Sequence, residues 1–199
     1  MGRPKQYERI ELLDRAVELF RRQGFNGTST AELADELGVN RKSMYAEFGS
    51  KQGLFEAVLE RYSDHHLGRV IGPLESPEAD ADTIRTAFEG YARASEGRFS
   101  GLGCLMANTA VERAALDPGS GRFVRAYLDR LTAAFRNALS NAQRDGQIGG
   151  TADVDELASF FMMSLIGVAA CLRAEASPKD MWAATRVATG VLDRLQPAG

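Results

Sequence analysis

The chain has 199 residues, with 24 Lys and Arg against 27 Asp and Glu. That length suits one helical or mixed core plus a small module better than two large domains, and the near balance of charge argues against a polycation that coats nucleic acid without local selection. The two cysteines, Cys104 and Cys171, match no metal-ligand spacing, which fits a reducing cytoplasm better than a disulfide scaffold and gives no support to zinc or haem.

Arg3, Lys5, Glu8, Arg9 and Glu11 interrupt the amino terminus before an apolar run can form, so no secretory signal is expected and the expected location is cytoplasmic. Arg3-Pro4-Lys5 reads as a tail in preference to a minor-groove arm. Ile10, Leu13, Val17 and Phe20, widened by Leu12, Ala16 and Leu19, make a helical stripe that ends at Gly24. Ser29 followed by Glu32 is a capping-box pattern; it opens a two-turn helix through Ala31, Leu33, Ala34 and Leu37 that stops at Gly38. Asn40 caps a third helix holding Met44, Tyr45 and Phe48, and Ser50 caps a fourth through Leu54, Phe55, Val58, Leu59 and Tyr62.

Punctuation then thins. Loops are expected at Gly72, Pro73 and Pro77, at 117–121, at 145–151 and at Ser177-Pro178. The segments between them predict helices over 83–96, 102–116, 122–144, 154–175 and 179–195, with no strand, repeat or low-complexity tract. The uncharged run 157–172 is shorter than the roughly 20 residues of a bilayer span and carries Ser159, Ser164 and Gly167, so it reads as a buried helix and no membrane is expected.

The informative pair is 31–38 and 40–49: two short helices joined through Gly38 form the unit that lays its second helix in the major groove. Gly38 can take the left-handed conformation, and Val39 is expected to pin the turn to the core. With Met44 and Phe48 facing inward, Arg41, Lys42 and Ala46 lie outward and Ser43 and Tyr45 flank them. Arg41 can pair bidentately with guanine, while the helix starts at Ser29 and Ser50 offer N–H groups to phosphate, with Lys51 beside the second. The plainer readings are a solvated face for Arg41 and Lys42 and a core position for Tyr45. Residues 1–62 hold ten basic and ten acidic side chains, so placement, and not net charge, must carry any binding.

The stretch Ala16 to Phe20, Gly24-Phe25, Gly27-Thr28-Ser29, Leu33-Ala34, Gly38-Val39, Met44-Tyr45, Phe48 and Lys51 resembles the amino-terminal signature of the tetracycline-repressor (TetR) family. The resemblance covers about the first sixty residues. It implies base readout by Arg41, Lys42 and Ser43, phosphate contacts from Tyr45 and Lys51, and a backbone-facing helix start at Thr28 and Ser29. Glu47 departs from the pattern: many members place a His there, and a carboxylate repels phosphate, so no phosphate contact is carried to it. It either tunes the surface or pairs with a base.

The implied fold is all-α: a three-helix helix-turn-helix head over 1–50, then a connecting helix leading to a helical effector-binding and dimerisation body over 51–199, about nine helices in all. The apolar faces of 154–175 and 179–195 exceed the need of a single small domain, and the resemblance likewise implies a homodimer through the last two helices. Phe88, Phe99, Met106, Phe160, Met162 and Met163 are candidate lining for an effector cavity, although such a stripe serves equally as core. Cys104, in Gly103-Cys104-Leu105-Met106 at an expected helix start, is a further candidate, since some family members sense electrophiles through such a cysteine; a buried inert thiol is the plainer reading.

His65 and His66 are adjacent and diverge by about 100° on a helix, too far to share one metal. No phosphate loop, nucleophile elbow or paired-carboxylate motif points to an enzyme, and no cofactor is implied. The expected function is a repressor released from a palindromic double-stranded DNA operator by a small molecule, with helix 51–69 as the lever. An activator, or a ligand or thiol-redox sensor acting through a protein partner without operator binding, are the alternatives.

Overall fold

A computed structural model describes residues 5–113 and 117–195; Arg3 and Pro4 of the expected tail lie outside them. The described residues form α1 (Lys5–Gly27), α2 (Thr30–Leu37), α3 (Arg41–Phe48), α4 (Lys51–Arg61), a π-helical turn (Tyr62–His66), α5 (Gly68–Glu75), α6 (Ala81–Ala94), α7 (Leu105–Glu112), α8 (Pro118–Arg144), α9 (Val154–Arg173) and α10 (Pro178–Arg194), with no strand among them. The architecture is all-α, as the sequence periodicity predicts.

The described residues divide into two compact units, 5–66 with 105–113 and 117–124, and 67–104 with 125–195. In the first, α1 packs on α2, α4 and α7, and α3 packs on α2 and α4. Its core is the inward stripe of α1 (Leu13, Val17, Phe20) closed by Leu33, Met44, Leu54, Phe55, Val58 and Leu59, all buried. The Phe20 and Phe55 rings meet edge to face at 4.8 Å, a geometry that adds to their area of burial.

In the second unit, α6 packs on α5, α9 and α10, and α9 on α10. Phe88, Phe135 and Phe161 form its aromatic centre, with Phe161 5.9 Å from each of the other two rings. The loop after α5 is held by two carboxamides of α8. Asn137 donates to the carbonyls of Leu74 and Ser76 at 2.9 and 2.8 Å, and the buried Asn141 donates to those of Pro77 and Ala79 at 3.0 and 2.9 Å. These bonds remove the desolvation cost of the enclosed amides and carbonyls.

Three predicted boundaries move for local reasons. Gly72 and Pro73, read as a loop, fall inside α5, where Ile71 and Leu74 are buried; proline's fixed φ is itself helical, and burial of its neighbours outweighs its missing N–H in so short a helix. The helix expected from 122 begins at Pro118, a natural first helical residue, with Asp117 accepting from the Ser120 N–H at 2.9 Å. The single lever expected over 51–69 is instead α4, a π turn and the start of α5, and a π turn is a frequent marker of functional irregularity.

The run 157–172 lies in α9, which by length and composition alone is sufficient to cross a membrane. It buries Phe161, Leu165, Val168 and Leu172 on one side and exposes Phe160 and Met163 on another. Truncating the buried centre should be costly: Phe161→Ala is expected to lose about 3–5 kcal/mol in urea unfolding, and a loss under about 1 kcal/mol would show that the aromatic cluster does not hold this unit together.

Candidate DNA-binding site

The site is built from helix ends. At the start of α2, Ser29 Oγ accepts from the Glu32 N–H at 3.1 Å while Glu32 Oε2 accepts from the Ser29 N–H at 2.8 Å. This reciprocal box satisfies two amide groups, and the Ser29 hydroxyl and N–H hold the Glu32 carboxyl below its ordinary range. α2 ends at Gly38, whose φ of 65° and ψ of 29° are left-handed. There its N–H reaches the Asp35 carbonyl at 3.0 Å, and the Val39 N–H reaches that of Ala34 at 3.0 Å. A side chain at this φ would be strained, so the turn needs glycine.

Asn40 then caps α3, its Oδ1 accepting from the Ser43 N–H at 2.8 Å. With Met44 buried and Phe48 half-buried, the reading helix is anchored from below, while Arg41, Lys42, Ser43, Ala46 and Glu47 are exposed and Tyr45 is 39% exposed. Tyr45 is therefore not a core residue. Ser50 caps α4 through a 3.0 Å bond from the Gly53 N–H.

Two of the expected contacts are placed differently from the rest. Thr28 is 1% exposed and donates its hydroxyl to the Gly24 carbonyl at 2.6 Å, so it braces the turn before α2. Lys51 is half-buried with its Nζ 4.2 Å from the Phe25 ring centre. Burial, reinforced by the nearby Arg113 charge, lowers its pKa below the ordinary lysine value, against the pull of Glu112 and Glu32.

Behind this surface lies a polar brace that sequence reasoning missed. Glu112 of α7 accepts from the Phe25 and Asn26 N–H groups at 3.0 and 2.6 Å. Arg113 lays its guanidinium 3.7 Å from the Phe25 ring centre and donates to Gln52 Oε1 at 2.9 Å. Gln52 in turn donates to Asp117 at 2.7 Å, and the Ser120 hydroxyl and N–H, with this amide, bring the Asp117 pKa down to about 2. Glu47, which departs from the family pattern, accepts from Arg9 Nε at 3.1 Å.

The effector candidates lie at several places in the fold. Phe88 sits in the aromatic centre of the second unit, Met106 is buried in the first, and Cys104 is buried just before α7 with its Sγ 3.7 Å from the Tyr127 hydroxyl. Phe99 is exposed against Arg98, and Met162 is half-buried. A groove of about 500 Å³ between α9 and α10 is bordered by Phe160, Gly167, Cys171, Met181 and Val187; Phe160 also borders a neighbouring recess with Met163. Among the described residues no group of three His, Cys, Asp or Glu is arranged to hold a metal ion.

A capped helix, a left-handed glycine turn and a second capped helix with an exposed cationic face define a helix-turn-helix DNA-binding transcriptional regulator. Residues 12–58 match the family model described as bacterial regulatory proteins, tetR family, and residues 81–188 match the tetracyclin repressor-like C-terminal domain. The chain belongs to the TetR family. It is 32% identical to the HTH-type transcriptional repressor ComR of Escherichia coli K12, over 88% of this chain and 84% of that one. It is 28% identical to the transcriptional regulator YezE of Bacillus subtilis 168, over 97% and 100%. Among solved structures, the fold is shared with CifR, a TetR regulator complexed with a 26 bp operator duplex (TM-score 0.78, 24% identity, 94% of this chain and 98% of that one).

The depressed Asp117 pKa carries a sign. A carboxylate lowered in the folded state stabilises above its unfolded value near 3.8 and loses that contribution as the pH falls toward about 2. Wild type should therefore melt above Asp117→Asn at pH 6, and the gap should narrow between pH 4 and pH 2; a gap independent of pH would mean the carboxylate charge does not matter to the brace.

Proposed function

We propose that this regulator is a repressor that holds a palindromic operator as a homodimer and leaves it when a small molecule binds the body. The division of labour is a reading head over 1–50 and an effector-binding and dimerisation part over 51–199. The observation that supports it best is the exposed Arg41-Lys42-Ser43 edge of a reading helix capped at its start by Asn40 and anchored from beneath by the buried Met44. Arg41 and Lys42 contact bases, with Ser43 beside them. Tyr45, Lys51 and the α2 start at Ser29 contact phosphates, and Thr28 holds that start in place. No catalytic step is part of this reading, and the site of action is the cytoplasm, with the DNA.

The second copy accounts for apolar surface that the single chain leaves open. Met163 on α9 and Val187 on α10 are 62% and 69% exposed, and Phe160 borders the groove between these helices. Burying such faces in a symmetric four-helix contact sets two heads about one DNA turn apart, roughly 34 Å. An effector preferring another spacing of the heads shifts the population away from DNA by its differential affinity.

Selection of genomic fragments by the purified protein at two salt concentrations tests the reading. A palindromic motif is expected, with Arg41→Ala and Lys42→Ala each weakening the motif by about 1–3 kcal/mol where a base contact is lost; enrichment without sequence preference would refute operator recognition. By sedimentation, wild type is expected to be a dimer at micromolar concentration and Val187→Glu a monomer, since a carboxylate cannot be buried there without a partner. A dimer unchanged by Val187→Glu would place the interface elsewhere.

A further inference from the structure

Glu47 is a carboxylate on the reading helix, and its immediate partner comes from another helix. Arg9, in the second turn of α1, donates from Nε to Glu47 Oε1 at 3.1 Å, and its guanidinium lies 5.6 Å from the Phe48 ring centre. Pair and ring border a recess of about 370 Å³ that Ser43 and Ala46 also line. Arg9 is therefore held on the flank of α3 that carries the exposed Ser43. The two side chains are 47% and 42% exposed, and a pair so open to water contributes little to folding. Close to phosphate the same charges act strongly, because the duplex carries one negative charge per about 1.7 Å of axis.

We propose that Glu47 governs how tightly the head binds DNA of any sequence, by holding the Arg9 cation against α3 and out of reach of phosphate. Paired, the two charges cancel at the interface, and selection is left to Arg41 and Lys42. Unpaired, Arg9 adds a phosphate contact that carries no sequence information. The proposal rests on the operator-binding reading, and it makes Glu47 a specificity-determining residue that touches neither base nor phosphate, with Arg9 as the group it restrains.

The test is anisotropy titration of wild type, Glu47→Gln, Arg9→Ala and the double variant. The probes are the duplex enriched by wild type and a scrambled duplex of equal length, each at 50 and 200 mM salt. Glu47→Gln should tighten binding to both duplexes and steepen the salt dependence by about 0.9 in log K against log salt for each protomer. That slope shrinks its advantage about 3-fold per protomer over this salt range. In the Glu47→Gln background Arg9→Ala should remove the gain and return the salt slope to that of wild type.

A double variant that still binds tighter than wild type would mean the carboxylate acts alone and would overturn the proposal. So would a loss confined to the enriched duplex, which would make Glu47 a base reader, and so would no change on either duplex. Wild type that melts cooperatively yet fails to distinguish the two duplexes would instead overturn the operator reading, and the proposal with it.

Discussion

The head depends on one carboxylate. Where α1 turns out of its helix at Gly24, the next two amides face a helix that arrives almost ninety positions later in the chain, and Glu112 takes both. The backbone at Gly24 has a φ of 74°, which strains any residue but glycine, and a Cβ there would also push the Glu112 carboxylate, 2.7 Å away, off its two amides. Its carbonyl receives the Thr28 hydroxyl, which fixes the direction in which the chain enters α2. A contact made by α7 thus holds the corner between α1 and α2, and Phe25, carrying the Lys51 and Arg113 cations, packs the same corner from its apolar side.

The electrostatics of the head follow from this arrangement. The cations of the first compact unit are mostly committed: Arg61 to Asp14, Arg9 to Glu47, Arg113 to Asp117 and Gln52, Arg122 to Glu56. Arg41 and Lys42 project from a helix whose first turn bears no acidic residue. A head of balanced charge can in this way present a local positive edge, and its association with DNA should depend on that edge and its geometry more than on long-range attraction, which salt screens within about 10 Å at 0.1 M.

Helix ends were the most legible feature because their signals are local: Ser29 with Glu32, Asn40, Ser50, Gly38 and Gly49 each act within four residues, and each appears at a terminus in the fold. The inward set Met44 and Phe48 followed from the 3.6-residue period. What stayed hidden depends on contacts distant in sequence. Nothing near Glu112 marks it as the partner of Phe25, and nothing near Glu47 points to Arg9. Thr28 and Lys51 were legible as residues of the motif, but their burial against Gly24 and Phe25 was not. Proline misled twice, at Pro73 and Pro118, because it was read as a breaker where its φ suits a first or last helical turn. The aromatic and Met residues of the body had the composition of a cavity lining, and composition does not separate lining from core: Phe88 packs on Phe135 and Phe161, whereas Met163 faces outward.

The sequence has a single tryptophan, and Trp182 of α10 donates its indole N–H to Glu96, beyond the end of α6, at 2.6 Å. Both residues belong to the second compact unit. Indole emission therefore reports the seating of α10 beside α6 with no label, while the tyrosine and peptide signals include both units. If the units lose structure at different temperatures, intrinsic fluorescence and far-ultraviolet dichroism will give different midpoints, and the molecule carries within its own composition the means to tell a two-state transition from a stepwise one.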